Sequence, residues 1–242
     1  MENSLVVALT RQDTLRRQLD VVANNLANMN STGFKNERLL FVEHLVPTPS
    51  GGERMGDAIA LVRDVATVRD LAAGELKETG SDLDVAIAGE GYLSVSTPDG
   101  PRYTRNGHLQ LNENGELVTA QGQPVLAQGA PVQLGLEDAR ISIARDGMIS
   151  SESTDLGRLD IVRFSRPQAL LAGEGGVMMA GNQQPEPVAA PVVLQGMLEG
   201  SNVEPISEIE RLIDLQRAYD QARQLVDRED DRIRKMLQTY AG

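Results

Sequence analysis

The chain has 242 residues, of which 40% are hydrophobic and only 3% aromatic, so any core it builds must be largely aliphatic. Its formal net charge of −12 argues against a nucleic-acid partner or an anionic membrane surface, since both are bound through clustered Lys and Arg. The lack of Cys excludes disulfides, thiolate metal sites and a Cys nucleophile, and no apolar run reaches the length needed for membrane insertion.

The first predicted element is an amphipathic helix over residues 4–29. Apolar residues alternate there at spacings of three and four, and Gln12 is the polar exception in the series Leu5, Ala8, Gln12, Leu15, Leu19, Val22, Leu26 and Met29. This heptad pattern is typical of a helix that packs its apolar stripe against another helix. Gly33 ends the pattern.

Residues 33–80 fit no single regular element. Pro47, Pro49 and the Gly51-Gly52 pair interrupt any long helix or strand. The stretch AIALVRDVATVRDL (58–71) is compatible with an extended β segment or with a short helix. We interpret the whole of 33–80 as an extended connector.

Residues 81–202 predict a central all-β domain of antiparallel hairpins. Stretches such as GYLSVS (91–96) alternate apolar and polar residues with the period of a half-buried strand. Turn dipeptides separate these stretches, at Asp99-Gly100, Asn106-Gly107, Asn114-Gly115, Gln121-Gly122 and Asp146-Gly147. Residues 166–192, rich in Gly, Pro, Gln and Ala, predict irregular loops with little strand.

The last predicted element is a second amphipathic helix, from about Pro205 to Leu237. Neither terminal helix can bury its apolar stripe alone, so we expect the two to pair. The predicted class is therefore α+β, with residues 1–32 and 203–242 forming a coiled-coil domain, 33–80 the connector and 81–202 the β-domain.

The residues that carry catalysis or metal binding do not come together in this sequence. His44 and His108 are the only histidines, and their spacing does not make a metal pair. Asp82 and Asp84 would share one face of a strand, but such a pair more often marks the polar start of a buried strand. We therefore expect no enzyme activity and no cofactor.

Four blocks carry a resemblance to a known family. They are VVANNLANMNSTGFKNERLLF (21–41), DLDVAIAGEGYLSVSTPDGPRYTRNGHLQLNENGELVTAQGQPVL (82–126), ISIARDGMIS (141–150) and GMLEGSNVEPISEIERLIDLQRAYDQARQLV (196–226). In this order they resemble the bacterial flagellar rod and hook proteins. The overall length, the compact β-domain and the motifs YTRNG and GMLEGSNVEP most resemble a subunit of the proximal rod.

The resemblance implies a structural subunit of the flagellar basal-body rod, the shaft that transmits torque from motor to hook for motility. It implies terminal helices that form an inner coiled coil, and partners that are copies of the chain and other proximal and distal rod proteins. A subunit of the distal rod is the alternative, and a cytoplasmic coiled-coil adaptor is a further one.

The family resemblance also changes the expected location. MENSLVVALTRQD, at the N-terminus, lacks the apolar segment and cleavage site of a secretory signal, which by itself favours the cytoplasm. Proteins of this family pass through the flagellar type III export apparatus without a cleaved signal peptide. The resemblance therefore implies a rod that crosses the periplasm.

The residues expected to form the assembly interface lie on both terminal helices and at the end of the first. The set includes three asparagines, Asn24, Asn25 and Asn28. They suit an interface because carboxamides both donate and accept hydrogen bonds without bringing charge into it. A frayed helix end is the alternative for this Asn-rich stretch. The expected set is Leu5, Leu15, Leu19, Val22, Asn24, Asn25, Leu26, Asn28, Gly33, Phe34, Ile209, Leu212, Leu215, Tyr219 and Val226.

Overall fold

The computed structural model describes residues 2–47, 58–135, 141–151 and 154–240; for 2–6, 42–47, 58–65, 233, 237, 239 and 240 it describes the backbone alone. A helix near each end and a β-rich region between them confirm the predicted α+β class. The chain forms two compact units, each assembled from separated stretches. Unit 1 comprises Met1–Ala27, Asn36–Asp70 and Glu204–Gly242, and unit 2 comprises Asn28–Lys35 and Leu71–Val203.

Unit 1 contains the two terminal helices, α1 (Glu2–Ala27) and α2 (Pro205–Tyr240). They pack against each other in opposite directions. Near the start of α1, Gln12 Nε2 donates to the hydroxyl of Tyr219 at 3.1 Å, and near its end Asn25 Nδ2 donates to Glu208 Oε2 at 3.3 Å. Pro205 suits the first turn of α2, where a backbone N–H would have no intrahelical acceptor. Neither helix has, over its described residues, a stretch long and apolar enough to cross a membrane.

The contact between the helices follows the heptad spacing of α1. Ala8, Leu15 and Val22, each seven residues from the next, are buried. On α2 the small Ala222 is buried at the same contact. Seven residues make about two helical turns, so the repeat brings an apolar side chain to this contact every two turns. Successive contacts then form a continuous apolar seam.

A long two-stranded hairpin completes unit 1. Strands β1 (Glu37–Pro47) and β2 (Ala58–Arg69) pair antiparallel over their whole length, with a register shift between Leu40 and Phe41. The Arg69 guanidinium and the Glu37 carboxylate join the two strands at one end, at 3.0 Å. The segment that we interpreted as a connector thus contains this hairpin, and its stretch AIALVRDVATVRDL takes the extended form.

Unit 2 is built from short antiparallel strands. Its largest sheet has the order β15-β16-β6-β5-β14-β17, while β4 pairs with β18 and β3 pairs with β19. The strands are β3 (Leu76–Glu78), β4 (Val85–Ala88), β5 (Tyr92–Thr97), β6 (Gly100–Thr104), β7 (Leu109–Leu111), β8 (Leu117–Thr119), β9 (Leu126–Ala127), β10 (Ala130–Pro131), β11 (Ile141–Ile143), β12 (Met148–Ser151), β13 (Asp155–Arg158), β14 (Ile161–Arg163), β15 (Leu171–Ala172), β16 (Met178–Met179), β17 (Glu186–Pro187), β18 (Val192–Gln195) and β19 (Met197–Glu199). Short 3₁₀ helices occupy Pro167–Ala169 and Glu174–Gly176.

The core of unit 2 is aliphatic, as the composition requires. Its most deeply buried members include Leu93, Val95, Leu117, Val125 and Ile149. Each such side chain contributes about 1.5–3 kcal/mol when it is removed from water. A smaller cluster holds aromatic residues, where the rings of Tyr103 and Phe164 meet edge to face with centroids 4.8 Å apart.

Candidate assembly site

Asn25 is completely buried, with 0% of its surface exposed, near the end of α1. Its Oδ1 accepts the backbone N–H of Glu37 at 2.9 Å. Its Nδ2 donates to Asn36 Oδ1 at 2.9 Å, to the Glu37 carbonyl at 2.8 Å and to Glu208 Oε2 at 3.3 Å. The carboxamide therefore joins α1 to the start of β1 and to the first turns of α2 within its own chain.

The other two asparagines of the expected site lie in different surroundings. Asn24 is exposed on α1. Asn28, one residue beyond the helix, is half-buried and forms a turn with Ser31, whose hydroxyl donates to Asn28 Oδ1 and whose N–H donates to the Asn28 carbonyl, both at 3.0 Å. Asn and Ser are common turn residues, because their side chains form hydrogen bonds with nearby groups of the same turn.

Gly33 and Phe34 follow the turn and belong to unit 2. Gly33 has a φ of +69° and donates its N–H to the Glu199 carbonyl at 2.7 Å. A Cβ at this position would lie 2.6 Å from the carbonyl carbon and oxygen of Arg105. Backbone conformation and close approach both require glycine here. Phe34 is half-buried, and its carbonyl accepts the N–H of Asn202 at 3.4 Å.

A buried ion cluster lies directly beside Gly33. Glu199 is buried, and its Oε1 accepts from Lys35 Nζ at 2.6 Å and from the Gly74 N–H at 3.1 Å. Its Oε2 accepts from Arg105, with Nε at 3.0 Å and Nη2 at 2.7 Å. Lys35 Nζ also donates to the Ala72 carbonyl at 2.7 Å. Full hydrogen bonding of this kind is what makes buried charges tolerable.

Arg105 extends the ion cluster into the β-domain. Its Nη1 donates to the carbonyls of Gly89 and Gly91 at 2.8 and 2.6 Å. The guanidinium thereby fixes the turn that leads into β5. We define the ion cluster as Lys35, Arg105 and Glu199.

Neither the three residues of the ion cluster nor Glu208 belongs to the set expected from the sequence. The available signal was the family resemblance, because Lys35 follows the Thr-Gly-Phe of the first block, Arg105 is the Arg of YTRNG, and Glu199 is the Glu of GMLEG. A buried charge needs a partner of opposite charge, so charged residues inside these blocks are a signal for an ion cluster.

The apolar members of the expected site divide by exposure. Leu15 and Val22 are buried on α1, and Leu19 and Leu26 are half-buried beside them. The half-buried members on α2 are Leu212, Leu215, Tyr219 and Val226. The side chain of Leu5 lies outside the described residues.

Ile209 belongs instead to a separate stripe on α2, which we call the isoleucine stripe and which consists of Ile206, Ile209 and Ile213. They are 76%, 44% and 45% exposed. Around the helix this stripe lies about 130° from the residues that face α1, at about 100° per residue. α2 therefore has two apolar faces, of which one is covered within the chain.

The residues considered above for catalysis or metal binding include Asp84, His44 and His108. Asp84 is buried at the bridge that precedes β4, and its Oδ1 lies 2.7 Å from Nδ1 of His108. The carboxylate thus marks the polar start of a buried strand. The side chain of His44 lies outside the described residues. Over the part of the chain that is described, no group of three or more His, Asp or Glu side chains could hold a metal ion.

Three segments of the chain match family models of flagellar proteins. Residues 5–35 match the family described as flagella basal body rod protein, and residues 86–151 match the flagellar hook protein FlgE/F/G D1 domain. Residues 194–239 match the flagellar basal body rod FlgEFG protein C-terminal domain. Each matched segment contributes one residue to the ion cluster.

The similarity extends over whole proteins. The chain is 38% identical over 229 residues to the flagellar basal-body rod protein FlgF of Caulobacter vibrioides, covering 94% of this chain and 93% of that protein. The chain belongs to the flagellar basal-body rod protein family. It is also 34% identical to FlgF of Rhizobium meliloti over 100% and 99% of the two chains, and 30% identical to FlgG of Buchnera aphidicola over 97% and 98%.

Membership of the rod protein family identifies the function of the chain. The chain is a structural subunit of the flagellar basal-body rod, and it serves motility. Asn25 joins three elements within unit 1, and the ion cluster joins separate stretches of chain within unit 2.

Proposed function

We propose that this subunit belongs to the proximal rod and assembles through its terminal helices with copies of itself and with neighbouring rod proteins. The assembled shaft transmits torque from the motor to the hook. The full-length similarity to proteins named FlgF supports the proximal position, and the similarity to FlgG makes a distal position the alternative.

The isoleucine stripe carries this proposal. Ile206, Ile209 and Ile213 recur at spacings of three and four on the first turns of α2, and all three are exposed. Farther along the same face the helix continues with polar residues such as Asp220 and Gln224. Burying one isoleucine against a neighbour contributes about 1.5–3 kcal/mol, so a stripe of three supplies a useful fraction of a subunit contact.

The expected interface then has two layers. The seam residues of α1 and α2 hold the two helices together as an antiparallel pair inside one subunit, and the isoleucine stripe faces the next subunit. Repetition of this contact around the rod builds a coiled coil of terminal helices. Asn24, exposed on α1, supplies a carboxamide for the same subunit contacts.

The route to the rod follows from the same proposal. Membership of the rod protein family supports export through the flagellar type III apparatus, with the assembled rod crossing the periplasm.

The double substitution Ile209→Asp/Ile213→Asp tests the isoleucine stripe. Two carboxylates on this face would have to be desolvated at the subunit contact, so we expect swimming in soft agar to fall by at least about tenfold in a strain that lacks the native gene. Both residues are exposed, so the thermal unfolding of the purified variant should stay within a few degrees of the parent.

Leu225→Asp is the matched control. Leu225 lies on the same helix, is 50% exposed and points away from the isoleucine stripe. Normal swimming of the double variant would overturn the proposal, and so would an equal loss in the Leu225→Asp strain.

A further inference from the structure

The apolar seam between α1 and α2 does not by itself define how the helices align. The buried residues of α1 repeat every seven positions, and the half-buried Leu212, Leu215, Tyr219 and Val226 of α2 repeat with the same spacing. Sliding one helix by a heptad, about 10 Å, again places apolar residues against apolar residues. An α2 from a second copy of the chain offers the same stripe.

Buried polar side chains distinguish one of these alignments from the others. Asn25 Nδ2 lies within hydrogen-bond distance of Glu208 Oε2, and both residues are buried. If α2 slid by one heptad in the direction that its length allows, Asn25 would face Leu215. The Glu208 carboxylate would then lose its partner on α1, and a buried carboxylate without donors is strongly unfavourable.

We propose that Asn25, with Glu208, is the residue that specifies which register and which partner α1 accepts. A single buried Asn in an otherwise apolar seam is known to fix register at some cost in stability. Here the Asn binds a carboxylate that the next two heptad positions of α2, Leu215 and Ala222, do not provide, so a slip of one or two heptads leaves both groups without each other.

The same carboxamide ties the register to the rest of unit 1. Through Asn36 Oδ1 and both backbone groups of Glu37, Asn25 fixes where β1 begins relative to α1. A slipped α2 would therefore be mismatched with a hairpin that remains in place. Farther along the seam, Gln12 and Tyr219 form a second polar pair that agrees with the same register.

The inference concerns pairing within one chain and goes beyond the proposed assembly in the rod. It is tested on the purified full-length chain, and the result does not depend on the swimming assay. Failure of one proposal is thus separable from failure of the other.

Disulfide trapping reads the register directly, because the chain has no Cys of its own. Ala8→Cys/Ala222→Cys reports the observed register, since both alanines are buried at the contact between the helices. Ala8→Cys/Glu229→Cys reports the register slipped by one heptad. Each reporter pair is placed in the parent chain and in Asn25→Leu/Glu208→Leu, which replaces both polar groups with matched apolar ones. Asp20→Leu, at an exposed position of α1, is the control.

In the parent and in Asp20→Leu, the observed pair should oxidise and the slipped pair should not. In Asn25→Leu/Glu208→Leu, we expect the slipped disulfide and disulfide-linked dimers to increase at least about fivefold, the lower bound set by one unpaired buried polar group. A double variant that retains its helical circular dichroism and still forms only the observed disulfide would overturn the proposal.

A milder substitution keeps the test decisive if the double variant does not fold. Glu208→Ala removes one acceptor and leaves the other three hydrogen bonds of Asn25 in place. The proposal requires more slipped disulfide in Glu208→Ala than in the parent, and an unchanged fraction would contradict it.

Discussion

Glu199 holds together parts of the chain that are far apart in sequence. One carboxylate accepts from Lys35, 164 positions earlier, and from Arg105, 94 positions earlier. The ion cluster carries two positive charges and one negative charge, so the Glu199 carboxylate is the counter-charge of both cations. Without it, two buried cations would face each other with no counter-charge.

We therefore expect Glu199→Gln to lower the free energy of unfolding by about 3–5 kcal/mol, the range found when one partner of a buried ion pair is removed. Urea unfolding followed by circular dichroism measures the change. Glu113→Gln, an exposed position in the same unit, should change the stability by less than about 0.5 kcal/mol. Equal stabilities of the two variants would show that the ion cluster is dispensable.

Tyr103 adds a dependence on alkaline pH at the same scale. Burial in the aromatic cluster raises the pKa of its hydroxyl above 10.0, while the nearby Arg102 acts in the opposite direction. A group whose pKa is raised on folding stabilises the native state fully below its unfolded pKa, and the stabilisation is lost as the pH rises through the folded pKa.

Unit 2 should accordingly lose stability above about pH 10, and Tyr103→Phe should reduce this loss. Urea midpoints of both proteins, measured on either side of that pH, give the comparison. The same alkaline slope in Tyr103→Phe and in the parent would assign the effect to other groups.

At the scale of elements, the two units are stabilised to different degrees. The strands of unit 2 surround a set of fully buried aliphatic side chains, including Leu93, Val95 and Leu117. Among the described side chains of α2, Glu208 and Ala222 are the buried ones. A helix held by so thin a seam opens at lower cost than a strand in a packed core.

Native-state amide exchange should therefore show lower protection in α1 and α2 than in β4, β5 and β8. We expect a difference in opening free energy of at least about 2 kcal/mol, since the seam buries far less apolar surface than the core. Both sets of amides are measured in one sample, so the strands serve as the internal control. Equal protection would mean that unit 1 is as stable alone as the core of unit 2.

For the whole molecule, the sequence predicts features that depend on local periodicity. Heptad spacing predicts both terminal helices, and alternation with Gly-containing turns predicts a β-rich middle. The hairpin of β1 and β2 is not predicted by periodicity, because AIALVRDVATVRDL is compatible with a strand or a helix. Its extended form depends on pairing with β1, which lies before the Pro- and Gly-containing segment.

Contacts between distant positions could not be predicted in this way. The helical wheel places Asn25 only at the border of the apolar stripe, and its complete burial results from Asn36, Glu37 and Glu208 closing over it. The ion cluster has the same origin, because no local pattern indicates that Lys35, Arg105 and Glu199 meet. Resemblance to a family identifies such residues without giving their role.

The position of the ion cluster has a consequence for where unit 2 can accept insertions. Within unit 2, Lys35 ends the first stretch, Ala72 lies at the start of the second and Glu199 near its end, and hydrogen bonds of Lys35 join all three. A Cβ on Gly74 would lie 2.0 Å from the Gly200 carbonyl oxygen, which shows how closely the two strands of chain approach there. The part of unit 2 between Ala72 and Glu199 is therefore a long loop whose two ends are held together at the ion cluster. We expect residues gained or lost within this loop, or a foreign domain inserted there, to leave the ion cluster intact.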